Sequence, residues 1–522
     1  MYADVAIANP HASATTIRIA TRTGALPRSL ATEPHNPIDP SVPRYTTSRS
    51  LRGVTFRRLS TLSPTAATVN AMTDVNSLRA RISGPVLTQS DAGFAEEVAA
   101  WSASHIHTPE VAVGAASAQD VAEAVQFARD NDMPVRVQAT GHGALLDITD
   151  GMLILTRRLD TVQVDPSTRV ATIGAGVTWG TVVAAAAGYG LAPITGSSPT
   201  VGVVGFLTGG GLGPLARSHG FASDYVVGFT AVTADGSIVE ANAETNPDLF
   251  WALRGGKGGL AIVTEVRIQL VELAEFYAGS LVFDAPDIEA ALRAWAEYTA
   301  TADDDVSTSV AVLRMPDFPF IPEPVRGRTL LSIRFTYPGD AATGEKLAAA
   351  LRSAAPVYLD QLAQIPTSAV ATIHGDPTDP SPVKTYGRML TGVDQELVSA
   401  LLEHVGPAQQ APFVSAELRH LGNRTAIDVP EGSAVGGRGG AFTLSLVGAP
   451  NPALFETVIP GAADGILRAI GPWLYDETTI NFLPSISTQE AFDSAWPSDI
   501  RQRLATVRAE YDPSRVFAYG PA

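Results

Sequence analysis

The amino-acid sequence predicts an α+β protein of more than one domain, and three observations carry that expectation. At 522 residues the chain exceeds what one ordinary hydrophobic core holds. Stretches of helical and of strand periodicity are mixed along most of it, with no internal repeat. Near Ala274 the texture changes, from short strands joined by glycine-rich loops to longer strands alternating with helices.

Residues 1–71 are rich in Ser, Thr, Pro, Ala and Arg and show no sustained periodicity. Such a composition buries too little apolar surface to offset chain entropy, so a disordered N-terminal extension is expected there. The segment is Arg/Ser-rich and acid-poor, as transit peptides are, but shows no clear amphipathic helix. It also lacks the apolar stretch of a signal peptide. A start codon set too early, with Met72 opening the product, accounts for the same features.

The next stretch, 72–274, opens with a short helix expected over 94–101. Ser117-Ala118-Gln119-Asp120 is a capping-box-like start. Val121, Ala124, Val125 and Ala128 follow at i, i+3, i+4 and i+7, the stripe of an amphipathic helix. Beyond Pro134, a strand at 135–137 delivers the loop Gln138-Ala139-Thr140-Gly141-His142-Gly143. Strands are expected at 153–155, 162–164 and 170–173, and an Ala-rich helix at 179–190. A second glycine block follows, from Gly196 through Gly205 to Gly209-Gly210-Gly211-Leu212-Gly213. Glycine tolerates positive φ and close backbone approach, so two such loops suit a large phosphate-bearing cofactor. Strands at 224–232 and 237–240 flank the Asp235-Gly236 hairpin turn. Asn246-Pro247-Asp248 has the order of a helix cap, a first-turn proline and an acid. A strand at 262–270 closes the stretch.

From 275 to 474 strands at 307–313, 329–336, 413–419 and 441–447 alternate with helices at 288–300 and 341–354 and a helical stretch near 453–469. A polar, Pro-rich break lies at 376–382. The last stretch, 475–522, reads as a strand at 480–483 and a helix at 500–517 that pack back on an earlier domain.

Composition excludes several classes. The net charge is −17; with eight Arg and three acids in residues 1–71, the rest of the chain stands at −22. Phosphate backbones repel such a body, so nucleic acid is not expected as a partner. The absence of cysteine removes disulfides, thiolate catalysis and zinc–thiolate or iron–sulfur sites. No apolar run reaches the roughly 18 residues of a membrane span, so no membrane partner is expected; the location is left as cytoplasmic or unknown. The glycines at 209–213 lack the spacing and downstream acid of a dinucleotide fingerprint, and Lys257 precedes Gly258, which rules out a P-loop. His105 and His107 have no acids at ligand spacing around them, so no metal is expected.

The His142 loop, Gly174-Ala175-Gly176-Val177-Thr178-Trp179, the glycine blocks, Thr233-Ala234-Asp235-Gly236, 248–256 and Tyr511-Asp512-Pro513-Ser514-Arg515-Val516-Phe517 occur here in one order. As a set they resemble the vanillyl-alcohol oxidase superfamily with its PCMH-type FAD-binding domain, the berberine-bridge-enzyme-like branch in particular. The resemblance covers about 105–275 and 475–522. It implies a two-part FAD-binding domain enclosing a substrate domain with a large antiparallel sheet covered by helices. It implies FAD bound covalently, 8α-histidyl, through His142. It also implies cofactor contacts from Ala139, Thr140, Gly141, Gly143, Ser197, Ser198, Val201, Gly202, Gly205, Gly209, Gly210, Gly211, Ile262 and Val263, and a pocket residue in Asn481. Imidazole is a nucleophile at neutral pH, so the linkage is chemically reasonable.

Three positions depart from the family pattern. Ser198 stands where many members attach FAD a second time through cysteine, so one covalent bond is the maximum. Gln138 replaces an arginine, and Gly259-Leu260-Ala261 replaces Asn-Phe-Gly.

The activity implied is oxidation of an alcohol, sugar, amine or activated C–H carbon, with hydride passing to the flavin. Val201, at a position associated with oxygen access, favours an oxidase over a dehydrogenase. The expected partners are thus a small-molecule substrate and oxygen. Relatives place a Tyr or Glu base on the substrate-domain sheet, which makes Tyr386 and Glu417 the catalytic candidates. Ser415, Glu417 and Arg419 share one face of their strand. A flavin-binding module that has lost its base, or an NADPH-dependent reductase, are the alternatives.

Overall fold

The computed structural model describes residues 74–319, 321–483 and 489–519. The expectation for residues 1–71 lies outside the described residues.

A four-stranded sheet runs in the order Val86–Leu87, Val111–Gly114, Met152–Leu155, Val135–Gln138. Met152 pairs in parallel with both Val111 and Val135. Two of these strands are buried on both faces, which is why Val111–Gly114 and Met152–Leu155 read as continuous apolar runs. Helix Ala118–Asp130 packs on this sheet through Val121, Ala124, Val125 and Ala128. Ser117 Oγ caps it, accepting the Asp120 N–H at 3.1 Å. Asp120 does not complete the capping box. Its carboxylate accepts the N–H groups of Ser83, Gly84 and Ala116 instead, tying the helix start to the chain before it.

A five-stranded antiparallel sheet follows, in the order Val162–Asp165, Val170–Gly174, Ile262–Gln269, Val226–Val232, Ile238–Ala241. The Asp-Gly turn joins its last two strands: Gly236 has φ +83°, and the Asp235 carboxylate accepts from Thr233 Oγ1 and Ser237 N. Helix Pro247–Leu253 starts where the sequence places it, but Asn246 does not cap it. Asn246 takes φ +49°, donates from Nδ2 to Glu240 O and accepts from Tyr511 OH, so its amide joins distant segments instead.

From Glu275 the chain builds a large antiparallel sheet, ordered Leu359–Asp360, Glu275–Asp284, Thr329–Tyr337, Ser307–Arg314, Phe413–His420, Phe442–Gly448, Thr385–Leu390, with Ala363–Pro366 also on Glu275–Asp284. Helices Ile288–Thr299, Ala341–Arg352, Gln395–Val405 and Val458–Ala469 cover one face, closing a core around Trp295, Ile333, Phe335 and Leu444. Strand side chains alternate, so Ser309, Arg334, Glu417 and Arg419 point from the opposite face. The expected α+β architecture with a large helix-covered antiparallel sheet is what forms.

The C-terminal helix is Ser498–Tyr511, shorter than expected, and its Leu504 and Val507 enter the core that holds Leu249 and Leu253. Past it, Val516 and Ala518 bond to Val135 beside the first sheet, at 2.8 and 2.9 Å. The segment expected as a strand at 480–483 is a 3-10 turn, Ile480–Phe482, with the Phe482 N–H returning to Thr479 O. No helix among the described residues is long and apolar enough to cross a membrane.

Candidate functional site

The first loop is held from below by Gln138. Its buried amide donates to Val98 O and Ala99 O, and its Oε1 lies 3.1 Å from His107 Nε2. Helix Phe94–Val98 stops three residues short of the expected end, and the extended chain after it runs along the loop: Trp101 N donates to Thr140 O and Ser102 N to Gly141 O. The Trp101 indole thereby stacks on the His142 imidazole, 4.0 Å between centroids. Gly141 is required here. It has φ +76°, and a Cβ would sit 2.6 Å from that of Ala100.

The second loop is fixed to the start of helix Trp179–Ala187 and to Val177 before it. Trp179 N donates to Val201 O, Val203 N to Val177 O and Gly180 N to Pro199 O. This brings Thr200 Oγ1 to 2.9 Å from His142 Nε2 and leaves Ser198 Oγ 3.2 Å from Thr200 Oγ1. A Cβ on Gly202 would meet Ala139 and Thr140 at 3.4 and 3.5 Å, so the two loops touch. Ser197 Oγ donates to Asp376 Oδ2 at 2.5 Å. Asp376 comes from the Pro-rich break of the large-sheet region. That segment folds over the first loop, accepting from Trp101 Nε1 at Thr378 O and from Ala103 N at Ser381 O.

Burial pushes the His142 imidazole down to about 4, against the opposing pull of Asp376 and Thr200. At neutral pH it is uncharged and keeps a nucleophilic lone pair. The N–H groups of Thr140, Gly141, His142 and Gly143 donate to no group among the described residues, and the Cβ positions of Gly143 and Gly205 face open space.

A third group of residues meets at Lys257. Its Nζ donates to Gly205 O and, at 2.7 Å, to Asn481 Oδ1, while Asn481 Nδ2 donates to Phe206 O. No carboxylate among the described residues pairs with the ammonium. Burial brings Lys257 down to about 8. A Cβ on Gly209 would lie 2.1 Å from Asn481 Oδ1, and Gly210 and Gly211 both have positive φ. Ile262 and Val263 are buried at the start of their strand, opposite Val232 and Ala231.

The wall formed by the large sheet carries a charged cluster. Glu417 Oε1 accepts from Ser309 Oγ at 2.9 Å and Arg334 Nη1 at 2.8 Å, and Oε2 accepts from Arg419 Nε at 2.9 Å. His374 Nε2 stands 3.4 Å from Oε1. Burial alone would raise the Glu417 carboxyl, but Arg419, Arg334 and His374 outweigh it and hold the group well below its usual range. His374 is kept neutral, by burial first and by Arg334 second. Tyr386 does not join this cluster. It pairs with Leu446 and packs into the helix-covered core, where burial and the carboxylates of Asp464 and Glu456 raise its pKa. The sheet therefore separates the two catalytic candidates. Only Glu417 is on the side of the glycine loops, to which Arg419 connects over the Phe482 ring at 5.4 Å.

Comparison with known proteins addresses the same loops. Residues 109–242 match the model of the FAD binding domain. (R)-6-hydroxynicotine oxidase of Paenarthrobacter nicotinovorans is 37% identical over 209 residues, 40% of this chain and 46% of the relative. The chain thus spans less than half the length of that curated relative in the match. The crystal structure of 6-hydroxy-D-nicotine oxidase from Arthrobacter nicotinovorans superposes with a TM-score of 0.70 at 26% identity, over 84% of this chain and 97% of that one. Residues 109–242 thus resemble an FAD binding domain, and the chain is similar in sequence and fold to FAD-linked oxidoreductases. Glucooligosaccharide oxidase from Acremonium strictum, described with a 6-S-cysteinyl, 8α-N1-histidyl FAD, shares the fold at a TM-score of 0.71 and 20% identity, over 85% of this chain and 98% of that one.

The loop geometry fits the FAD that such a domain binds. The free N–H groups at 140–143 and the open glycine positions suit phosphate and ring edges. Sequence reasoning placed both loops but missed Trp101, Asp376, His374 and Arg334 as members of the site. The Pro-rich break was the one available signal for Asp376, since a conformationally restricted polar segment inside a folded region has a placed role more often than a linker does.

Proposed function

We propose that this chain is an FAD-dependent oxidase of small molecules, with its cofactor attached to His142. The observation that carries the reading is the state of His142: a half-buried, uncharged imidazole, stacked on Trp101 and bonded to Thr200, between two glycine loops with unused N–H groups. When bound, FAD supplies the hydride acceptor. The protein's part is to hold it through His142 and the glycine loops, to place the substrate against the wall of Glu417, Arg334 and Arg419, and to exclude water. Glu417, kept ionised and saturated by its partners, acts in this reading as the residue that positions the two arginines. Ser198 remains unlinked, because a serine hydroxyl without a base is a poor nucleophile.

Two measurements test this. Acid-precipitated protein should stay yellow, and His142→Ala should release its flavin to the supernatant. A colourless pellet from the flavin-loaded wild type would reject covalent attachment. Anaerobic mixing with a panel of alcohols, sugars, amines and hydroxy acids should bleach the flavin with at least one, and air should restore the colour with formation of hydrogen peroxide. Reoxidation by an added dye but not by air would assign a dehydrogenase instead.

A further inference from the structure

We propose that the wall of the large sheet facing the cofactor loops binds an anion, and that the substrate of this site carries a carboxylate. The inference rests on the reading of the site as an oxidase and names the chemical class it takes.

The argument is a count of charges in a buried place. Arg334 is 7% exposed and Glu417 6% exposed. Arg419 is half-buried beside them. Glu417 is the one carboxylate paired with either arginine among the described residues. Guanidinium groups stay protonated at any ordinary pH. His374, kept neutral, adds no charge. The cluster therefore carries one positive charge more than it compensates, and an uncompensated buried charge is strongly unfavourable unless something completes it. Arg334 Nε is buried with no hydrogen-bond partner among the described residues, so donor capacity is left over as well as charge.

Position ties the cluster to the cofactor loops at two points. Arg419 lies over Phe482, the neighbour of the Asn481 that bonds Lys257 and Phe206 O. His374 is two residues from Asp376, which bonds Ser197 in the second loop. One surplus charge on forked guanidinium donors matches a monoanionic carboxylate better than a phosphate dianion. A substrate oriented by its carboxylate on this wall would present its oxidisable carbon towards the cofactor loops.

The test uses the flavin-loaded full chain and two probes of one shape, benzoate and its neutral amide, benzamide. Benzoate should perturb the flavin absorbance saturably and benzamide should not. Arg419→Gln should weaken benzoate at least about tenfold, a change of about 1.4 kcal/mol, with Arg419→Lys recovering part of the loss. Inorganic phosphate should compete weakly or not at all. Among oxidisable compounds, a hydroxy acid should bleach the flavin faster than its methyl ester. Equal perturbation by benzoate and benzamide overturns the proposal even if Arg419→Gln fails to fold. A benzoate titration unchanged in Arg419→Gln, with the flavin potential lowered, would also overturn it by assigning the surplus charge to the reduced flavin. If no compound of any class bleaches the flavin, the oxidase reading fails, while the benzoate titration still decides whether the wall binds an anion.

Discussion

The rings of Trp101 and His142 lie face to face, 4.0 Å apart and 15° from parallel, although the two residues come from different segments of the chain. The stack fixes the imidazole plane while Thr200 fixes its rotation, so His142 has one orientation available to it. An aromatic contact of this kind is worth roughly 0.5–1.5 kcal/mol. Trp101→Ala should therefore slow attachment of FAD to His142 by about three- to tenfold without abolishing reversible binding. In-gel flavin fluorescence after timed incubation of the apoprotein measures it.

The charge state of His142 gives a pH test. An ordinary imidazole titrates near 6.5, whereas here burial lowers it to about 4. Its neutral form therefore persists on acidification until pH approaches that value. Attachment rates at about pH 5.5 and about pH 7.5 should agree within a factor of two. A fall to about one-tenth at the lower pH is what an unshifted histidine would give.

Ser198 offers a change of chemistry at a fixed place. Its Oγ is 3.2 Å from the same Thr200 hydroxyl that touches His142. Ser198→Cys supplies a thiol whose small thiolate fraction is reactive at neutral pH. We expect a second bond to the flavin, seen by mass spectrometry as one flavin joining the peptides of residues 142 and 198. A thiol that stays open to alkylation, with flavin on His142 alone, would show that the second loop does not cross the ring at this residue.

Glu417→Gln removes the one negative charge between Arg334 and Arg419. Stripping a partner from a buried ion cluster costs roughly 3–5 kcal/mol, and a loss near 3 kcal/mol is expected in denaturant unfolding. The sign with pH follows from the depressed folded-state pKa of this carboxyl. Its contribution is fully present above the unfolded value, near 4.3, and is lost as pH falls through the lower folded value. The wild type and Glu417→Gln should therefore converge in stability only in strong acid.

Lys257 occupies a left-handed conformation, φ +63°, and keeps a cation among neutral partners. Lys257→Gly relieves backbone strain of about 1 kcal/mol and removes a desolvated charge. The apoprotein should melt at a higher temperature. Flavin loading should fall, because the variant loses the cation beside Gly205. A lower apoprotein melting temperature would mean that the Asn481 contact outweighs both costs.

Much of the architecture is written in short-range patterns. The 3.6-residue stripe from Val121 to Ala128, the Ser117 cap and the Asp235-Gly236 turn depend on neighbours within a few residues, and each forms where the sequence places it. The same holds for the two glycine loops and for His142, since chain flexibility and side-chain chemistry are local properties. Local reading fails where a side chain is used at a distance. Asn246 has the composition of a cap but bonds Glu240 and Tyr511 instead, and the segment of Asn481 turns because its amide is held by Lys257 and Phe206. Periodicity puts Ser415, Glu417 and Arg419 on one face but cannot say which face the helices cover. The neighbouring strands decide that, and with it they send Tyr386 into the core and Glu417 to the wall. Asp376 reaches Ser197 across 179 positions of sequence, and Arg334 reaches Glu417 across 83. Sequence alone located two glycine loops with a histidine in the first. The charge around it was decided by tertiary structure, because electrostatic energy depends on distance and burial in space, and neither is set by order along the chain.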